Sequence, residues 1–167
     1  MNIRLVQQNE IEQVMEIIAE SITIMHQEGS DQWDENYPTR ERFLDDIGAD
    51  NLYGIYTDAN DLMGFACINE EQSKEYEAFS WQRDSYLAIH RMAVSPLYRG
   101  MGVATALMEY AQDLAHERKK EELRSDTYMR NIGMQRCFEK LGYVYIGDTD
   151  FAGHNKLERF KVYEKVL

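Results

Sequence analysis

The tightest constraint on this chain lies in residues 86–103, where an apolar strand-like run, YLAIHRMAV, passes directly into SPLYRGMGV and then into a helical pattern that runs to about Glu117. Val103, Leu107, Tyr110, Ala111 and Leu114 share one face of that helix, so it packs on a sheet. The first turn of a helix leaves backbone N–H groups without intrahelical partners. Glycines at 100 and 102 carry no Cβ, so a ligand can approach those amides closely. The helix dipole adds partial positive charge and Arg99 adds a full one. Arg99, Gly100, Gly102 and the first-turn amides together therefore predict a phosphate site, most naturally for a pyrophosphate. A glycine turn that only joins a strand to a helix is the alternative.

The strand before the turn carries a phase change. Leu87 and Ile89 fall on odd positions, Met92 and Val94 on even ones, and the switch comes near His90 and Arg91. One extra residue, a β-bulge, produces such a switch. A strand buried on both faces also erases parity. A bulge would bend the strand from its neighbour and splay the sheet.

The remaining patterns alternate. NIRLVQ (2–7) reads as a strand, and Asn9 with Glu12 as the capping box of a helix whose apolar face is Ile11, Val14, Met15, Ile18, Ile22 and Met25. Residues 26–38 read as an irregular loop, and Thr39 caps a short helix with Phe43, Leu44 and Ile47. NLYGIYT and LMGFACI form a hairpin around DAND, and residues 71–84 are a polar loop. ELRSDTY is a strand, 131–141 a helix stopped by Gly142, and YVYIGDTDF and LERFKVYEKVL are strands joined by the turn AGHN. This is a mixed α/β pattern of about seven strands and four helices, read as one domain over 1–167.

Composition excludes several classes. With 167 residues, 44% of them hydrophobic, the chain can build an ordinary core. No apolar run reaches the ~18 residues of a membrane span, and the first residues lack the order of a signal peptide. Cys67 and Cys137 form no CxxC pair and read as free thiols in a reducing, cytoplasmic compartment. A net charge of −12 argues against nucleic acid and favours a cationic or neutral substrate. No His/Cys cluster has metal-ligand spacing.

Known phosphate loops divide on this turn. A Walker A loop requires a Lys-Ser or Lys-Thr pair that is missing here, and GMGVAT ends in Thr105 where a Rossmann fingerprint needs glycine or alanine. VSPLYRGMGVATALM instead resembles the signature of the GNAT superfamily of acetyl-CoA-dependent N-acetyltransferases, with Arg99, Gly102 and Ala104 filling its Arg/Gln-x-x-Gly-x-Gly/Ala pattern. RNIGMQRCFEKLGYVYIG resembles the family's next segment. The order of elements matches over nearly the whole chain, with residues 86–146 carrying most of the weight. The resemblance implies a mixed, mostly antiparallel sheet with a bulged, splayed central strand. It implies a pyrophosphate on the amides of Arg99–Ala104, and a pantetheine arm paired with the backbone of Met92, Ala93 and Val94. It also implies that Asn131 bonds to the cofactor arm, a role that coexists with an N-cap, and it allows a homodimer.

One position departs from the family. Seven residues after Asn131 a tyrosine often protonates the departing thiolate, and here Phe138 stands there. By resemblance Phe138 touches the cofactor near its sulfur; by periodicity it belongs to a core stripe with Met134 and Leu141. On the acceptor side, an amine with a pKa of about 10.4 must lose a proton before attack. His90 is the candidate base or relay, against the reading of a hydrogen-bonded structural histidine. Trp33 and Tyr37, in the loop with His26, Glu28 and Asp31, are candidate substrate-wall residues or loop anchors. The expectation is an N-acetyltransferase moving an acetyl group from acetyl-CoA to a primary amine of a small molecule or peptide by direct attack in a ternary complex. The alternative is an acyl-CoA-binding module without turnover.

Overall fold

A computed structural model describes residues 2–151 and 156–167. Its strands are β1 (Asn2–Leu5), β2 (Leu52–Tyr56), β3 (Leu62–Asn69), β4 (Tyr86–Val94), β5 (Glu122–Tyr128), β6 (Val144–Thr149) and β7 (Phe160–Val166). Its helices are α1 (Ile11–Gln27), α2 (Arg40–Gly48), α3 (Val103–Glu117) and α4 (Ile132–Lys140). The strands follow the order β1-β2-β3-β4-β5-β7-β6. β1–β2, β2–β3, β5–β7 and β6–β7 are antiparallel and β4–β5 is parallel, in register from Tyr86–Glu122 to Ile89–Ser125. A parallel pair needs a crossover, and α3 lies in the connection from β4 to β5. The mixed, mostly antiparallel sheet is the expected fold class. The anticipated turn at 152–155 lies outside the described residues.

The chain divides into two compact units: the residues up to Ile68 with Arg91–Tyr110, and Asn69–His90 with Ala111–Leu167. In the first, Ile11, Val14, Ile17 and Ile18 of α1 and Phe43 of α2 pack with Leu52, Tyr56 and Phe65. Ile55 and Met63 pack instead with Val103 and Leu107 of α3. Burying such aliphatic side chains, at about 1.5–3 kcal/mol each, is what holds these helices to the strands.

The expected Asn9–Glu12 capping box is corrected. A short 3-10 turn, Gln8–Glu10, precedes α1, and the Gln7 N–H donates to Glu10 Oε2 at 2.8 Å. The physical cause is Arg4, whose guanidinium donates to both Glu10 oxygens at 2.9 and 2.7 Å, while the Tyr56 hydroxyl donates at 3.0 Å. Glu12 is left on the exposed side, paired with Arg40. Thr39 caps α2 as expected, accepting from the Arg42 N–H at 3.2 Å.

In the second unit the polar loop before β4 carries a 3-10 turn, Lys74–Ala78, and a fully buried Tyr76 whose hydroxyl donates to Asp126 Oδ2 at 2.5 Å. Arg124 fastens this loop. Its guanidinium lies 4.2 Å from the Trp81 ring and 3.8 Å from the Tyr86 ring, and it donates to Glu122 at 2.7 Å. Gly142 ends α4 at φ +82°, a conformation that favours glycine.

The reading of β4 as a strand buried on both faces holds for its first half. Leu87, Ala88 and Ile89 are consecutive and buried, so the first half has no exposed face. Arg91 then takes φ +45°, a left-handed backbone rare for a residue with a long side chain. That kink is where the apolar phase changes.

Candidate functional site

The turn after β4 is built by short-range hydrogen bonds. The Ser95 N–H donates to the Met63 carbonyl at 2.9 Å, which ties the end of β4 to β3. Tyr98 N–H donates to Ser95 O at 2.9 Å and Met101 N–H to Tyr98 O at 3.3 Å, closing a 3-10 turn over Pro96–Tyr98. Gly100 and Gly102 follow at φ +76° and +80°. The Ala106 N–H then donates to Gly102 O at 2.9 Å, so the helical ladder of α3 begins there. The N–H groups of Val103 and Ala104 precede that ladder and, as first-turn amides, have no intrahelical acceptor. Of the six amides from Arg99 to Ala104, the turn itself uses that of Met101.

The open side of this turn fits an anion. An ideal Cβ placed on Gly100 or Gly102 meets nothing within 4 Å, and the side chain of Arg99 is exposed. Unspent N–H groups at a helix N-terminus, beside a guanidinium and without flanking side chains, suit a phosphate or pyrophosphate. Gly64 of β3 is a glycine for a different reason. A Cβ there would stand 2.7 Å from the Ala93 carbonyl oxygen, so β3 and β4 come too close for a side chain. Ala93 is buried, and Met92 and Val94 pack partly buried against the Ile55–Met63–Val103–Leu107 cluster.

Arg91, at the kink, is 7% exposed and donates through Nε to Asp46 Oδ2 at 2.8 Å and through Nη2 to Oδ1 at 2.9 Å. Nη2 also lies 3.3 Å from Cys67 Sγ and Nη1 3.4 Å from the Tyr37 hydroxyl. Burial opposes the charge of Arg91, and its hydrogen bond to Asp46, with the neighbouring Cys67, Tyr37 and Asp46 charges, together more than offsets it, so the guanidinium is held firmly protonated. Burial pushes the Cys67 thiol up to about 12, so it is no nucleophile at neutral pH. Trp33 is buried in the α1–α2 core, while Tyr37 is half-buried with its hydroxyl toward Arg91. The pair Arg91–Asp46 escaped the sequence reading. Its signals were an arginine inside an apolar strand at the phase change, and an aspartate on the same side of α2 as Phe43 and Ile47.

The other candidates belong to the second unit. His90 Nε2 lies 3.2 Å from the Glu71 carbonyl oxygen. A carbonyl only accepts, so this contact requires a proton on Nε2. Asn131 caps α4, its side-chain oxygen accepting from the Met134 N–H at 3.1 Å. Phe138 is 1% exposed and stacks on Tyr163 with ring centroids 4.7 Å apart, with Tyr143 at 5.3 Å on another side. The Tyr143 hydroxyl is buried without a hydrogen-bond partner. Among the described residues no helix is long and apolar enough to cross a membrane.

The pattern of the acetyltransferase (GNAT) family matches residues 12–143. The crystal structure of a GNAT-family acetyltransferase from Streptococcus agalactiae 2603 is similar, at 33% identity over 99% of this chain and 95% of that one, with a TM-score of 0.84. A PaiA N-acetyltransferase from Thermoplasma acidophilum, solved in complex with coenzyme A, shares the fold at 18% identity and a TM-score of 0.75, covering 99% of this chain and 98% of its own. An uncharacterized N-acetyltransferase of Bacillus subtilis (strain 168), YesJ, is 24% identical over 88 residues, 51% of this chain. That match spans 48% of the curated relative's length.

Proposed function

Because this chain belongs to the acetyltransferase (GNAT) family, we propose that it is an N-acetyltransferase that moves an acetyl group from acetyl-CoA to a primary amine of a small molecule or peptide. The observation that carries the reading is the 99–104 turn, with two left-handed glycines open where a Cβ would stand and unspent helix N–H groups beside them. Acetyl-CoA, when bound, supplies the acetyl group as a thioester.

The chain's own residues then have separable tasks. Arg99 and the amides of Gly100, Gly102, Val103 and Ala104 hold the pyrophosphate. The backbone of Met92–Val94 would hold the arm, and its N–H groups would be the donors available to the carbonyl oxygen where charge develops. Asn131 contributes a polar contact to the arm in addition to its cap. Most of the rate then comes from positioning, since the amine attacks the thioester directly and no enzyme nucleophile is required. The amine must first give up a proton, because at pH 7 a group with a pKa of about 10.4 is neutral in only about one molecule in 2,500. His90 receives that proton directly or through water. Phe138 has no proton to give, so water or another hydroxyl meets the departing thiolate. Tyr37 lines the acceptor side, and Trp33 anchors its loop in the α1–α2 core. Cys67 and Cys137, which form no disulfide with each other, support a reducing, cytoplasmic setting.

The test is thiol release from acetyl-CoA across a panel of small and peptidyl amines, beside calorimetry of CoA binding. Binding with release in the presence of one amine class supports the reading. Binding without release under any amine favours an acyl-CoA-binding module, and absence of binding refutes both.

A further inference from the structure

We propose that Arg91 is a positioning residue: its buried fork onto Asp46 holds the kink in β4 that sets the backbone of Met92–Val94. The inference rests on the reading of that segment as the seat of the acetyl-CoA arm.

A long side chain at φ +45° in the middle of a strand is unfavourable by itself and persists only where its surroundings dictate it. The surroundings here are explicit. Two parallel N–H···O bonds of 2.8 and 2.9 Å fix the plane of the guanidinium as well as its position. Asp46, 3% exposed, is fixed in turn by its place on α2, where its carbonyl accepts the Asn51 N–H at 2.9 Å. Cys67 of β3 and Tyr37 of the loop before α2 touch the remaining edge of the fork. One side chain thus references β4 to α2, β3 and that loop, all within the first unit.

The three residues that follow hang between two fixed points. Arg91 pins one end through Asp46, and the Ser95 N–H pins the other on Met63. The backbone N–H and C=O groups between them keep the direction that the kink gives them. A buried ion pair is a poor choice for stability alone, because desolvating two charges offsets most of their attraction and an apolar pair of similar volume serves as well. What the ion pair adds is a defined orientation, and the group it orients is the backbone at the kink.

The decisive variant is therefore the paired exchange Arg91→Met with Asp46→Leu, which removes the fork without stranding a buried charge. Two ligands are titrated calorimetrically: acetyl-CoA, and adenosine 3′-phosphate 5′-diphosphate, the fragment that has the pyrophosphate and lacks the arm. The expected result is a tenfold or greater loss of acetyl-CoA affinity, with fragment affinity within twofold of wild type and a melting temperature close to wild type. A second variant, Arg91→Lys, keeps the charge but not the fork. It is expected to show a smaller loss, again for acetyl-CoA alone, and serves if the paired exchange does not fold. Unchanged acetyl-CoA affinity overturns the proposal, as does an equal loss for both ligands, which would mean that the fork acts on the fold or the turn. Wild-type protein that binds neither ligand overturns the cofactor reading itself, and is distinguished from the other failures by needing no variant.

Discussion

Gly102 offers the cleanest separation of fold from ligand. Its φ of +80° disfavours any residue with a Cβ, while an ideal Cβ there meets no atom within 4 Å. The first carbon of a side chain at this position therefore meets no atom inside the protein. The cost of Gly102→Val to folding is the left-handed backbone, about 1–2 kcal/mol. At about 2–4 °C per kcal/mol for a chain of this size, the melting temperature should fall by about 2–8 °C. That strain is present with and without ligand, so it leaves the dissociation constant untouched. The isopropyl group instead occupies the open side of the turn, where a pyrophosphate would approach the amides. CoA affinity should fall at least tenfold, about 1.4 kcal/mol, by calorimetry on folded protein. Gly64→Ala is the control, because its Cβ would stand 2.7 Å from the Ala93 carbonyl oxygen and so costs stability by a clash within the fold. Gly102→Val protein that binds CoA within twofold of wild type would refute the placement of phosphate on this turn.

Arg99→Glu reverses an exposed charge beside the same amides, and it should weaken CoA binding at least tenfold at low salt and less at high salt, with an unchanged melting temperature. His90→Gln should lower kcat and abolish the limb of kcat/KM that rises with pH, and an identical profile would exclude His90 as base or relay. Phe138→Tyr adds a hydroxyl to a ring that is 1% exposed and stacked on Tyr163, so a stability loss of about 1–3 kcal/mol and no gain in kcat are expected. A faster, equally stable variant would instead put position 138 at the thioester. Glu10, held down to about 2 chiefly by the Arg4 guanidinium, has a folded pKa below its unfolded one, so it stabilises the fold above the ordinary carboxylate range. That contribution should disappear as pH falls from about 4.5 to about 2, and Glu10→Gln should flatten this part of a stability-against-pH curve.

Much of this fold could be read from local pattern because each element is closed by chemistry near it in sequence. Thr39 and Asn131 cap α2 and α4 through N–H groups three residues on, at 3.2 and 3.1 Å, and Gly142 stops α4 at φ +82°. The first helix shows where such reasoning fails. Asn9 and Glu12 have capping-box spacing, but the box forms around Glu10 because Arg4 and Tyr56 claim that carboxylate. Tyr56 is 46 residues away from Glu10, and no window around the helix start contains it. The polar loop before β4 hides Tyr76 in the same way, since its partner Asp126 lies 50 residues on.

The candidate site divides along the same line. The turn at 99–104 was legible because glycines, an arginine and a helix start sit together in one short stretch, and the conformation they adopt is local. The kink at Arg91 was half legible. The parity change between Ile89 and Met92 located it, but parity cannot say what holds it, because Asp46 lies 45 residues earlier on another element. An arginine in an apolar strand and an aspartate beside Phe43 each look like isolated exceptions to burial rules. Buried charges require partners, so two such exceptions in one unit are a prediction of each other. Read that way, the most informative residues in β4 are neither the apolar ones that make it a strand nor the histidine that invites a catalytic role. Arg91 is the one whose side chain could not be buried there without a partner already fixed in place.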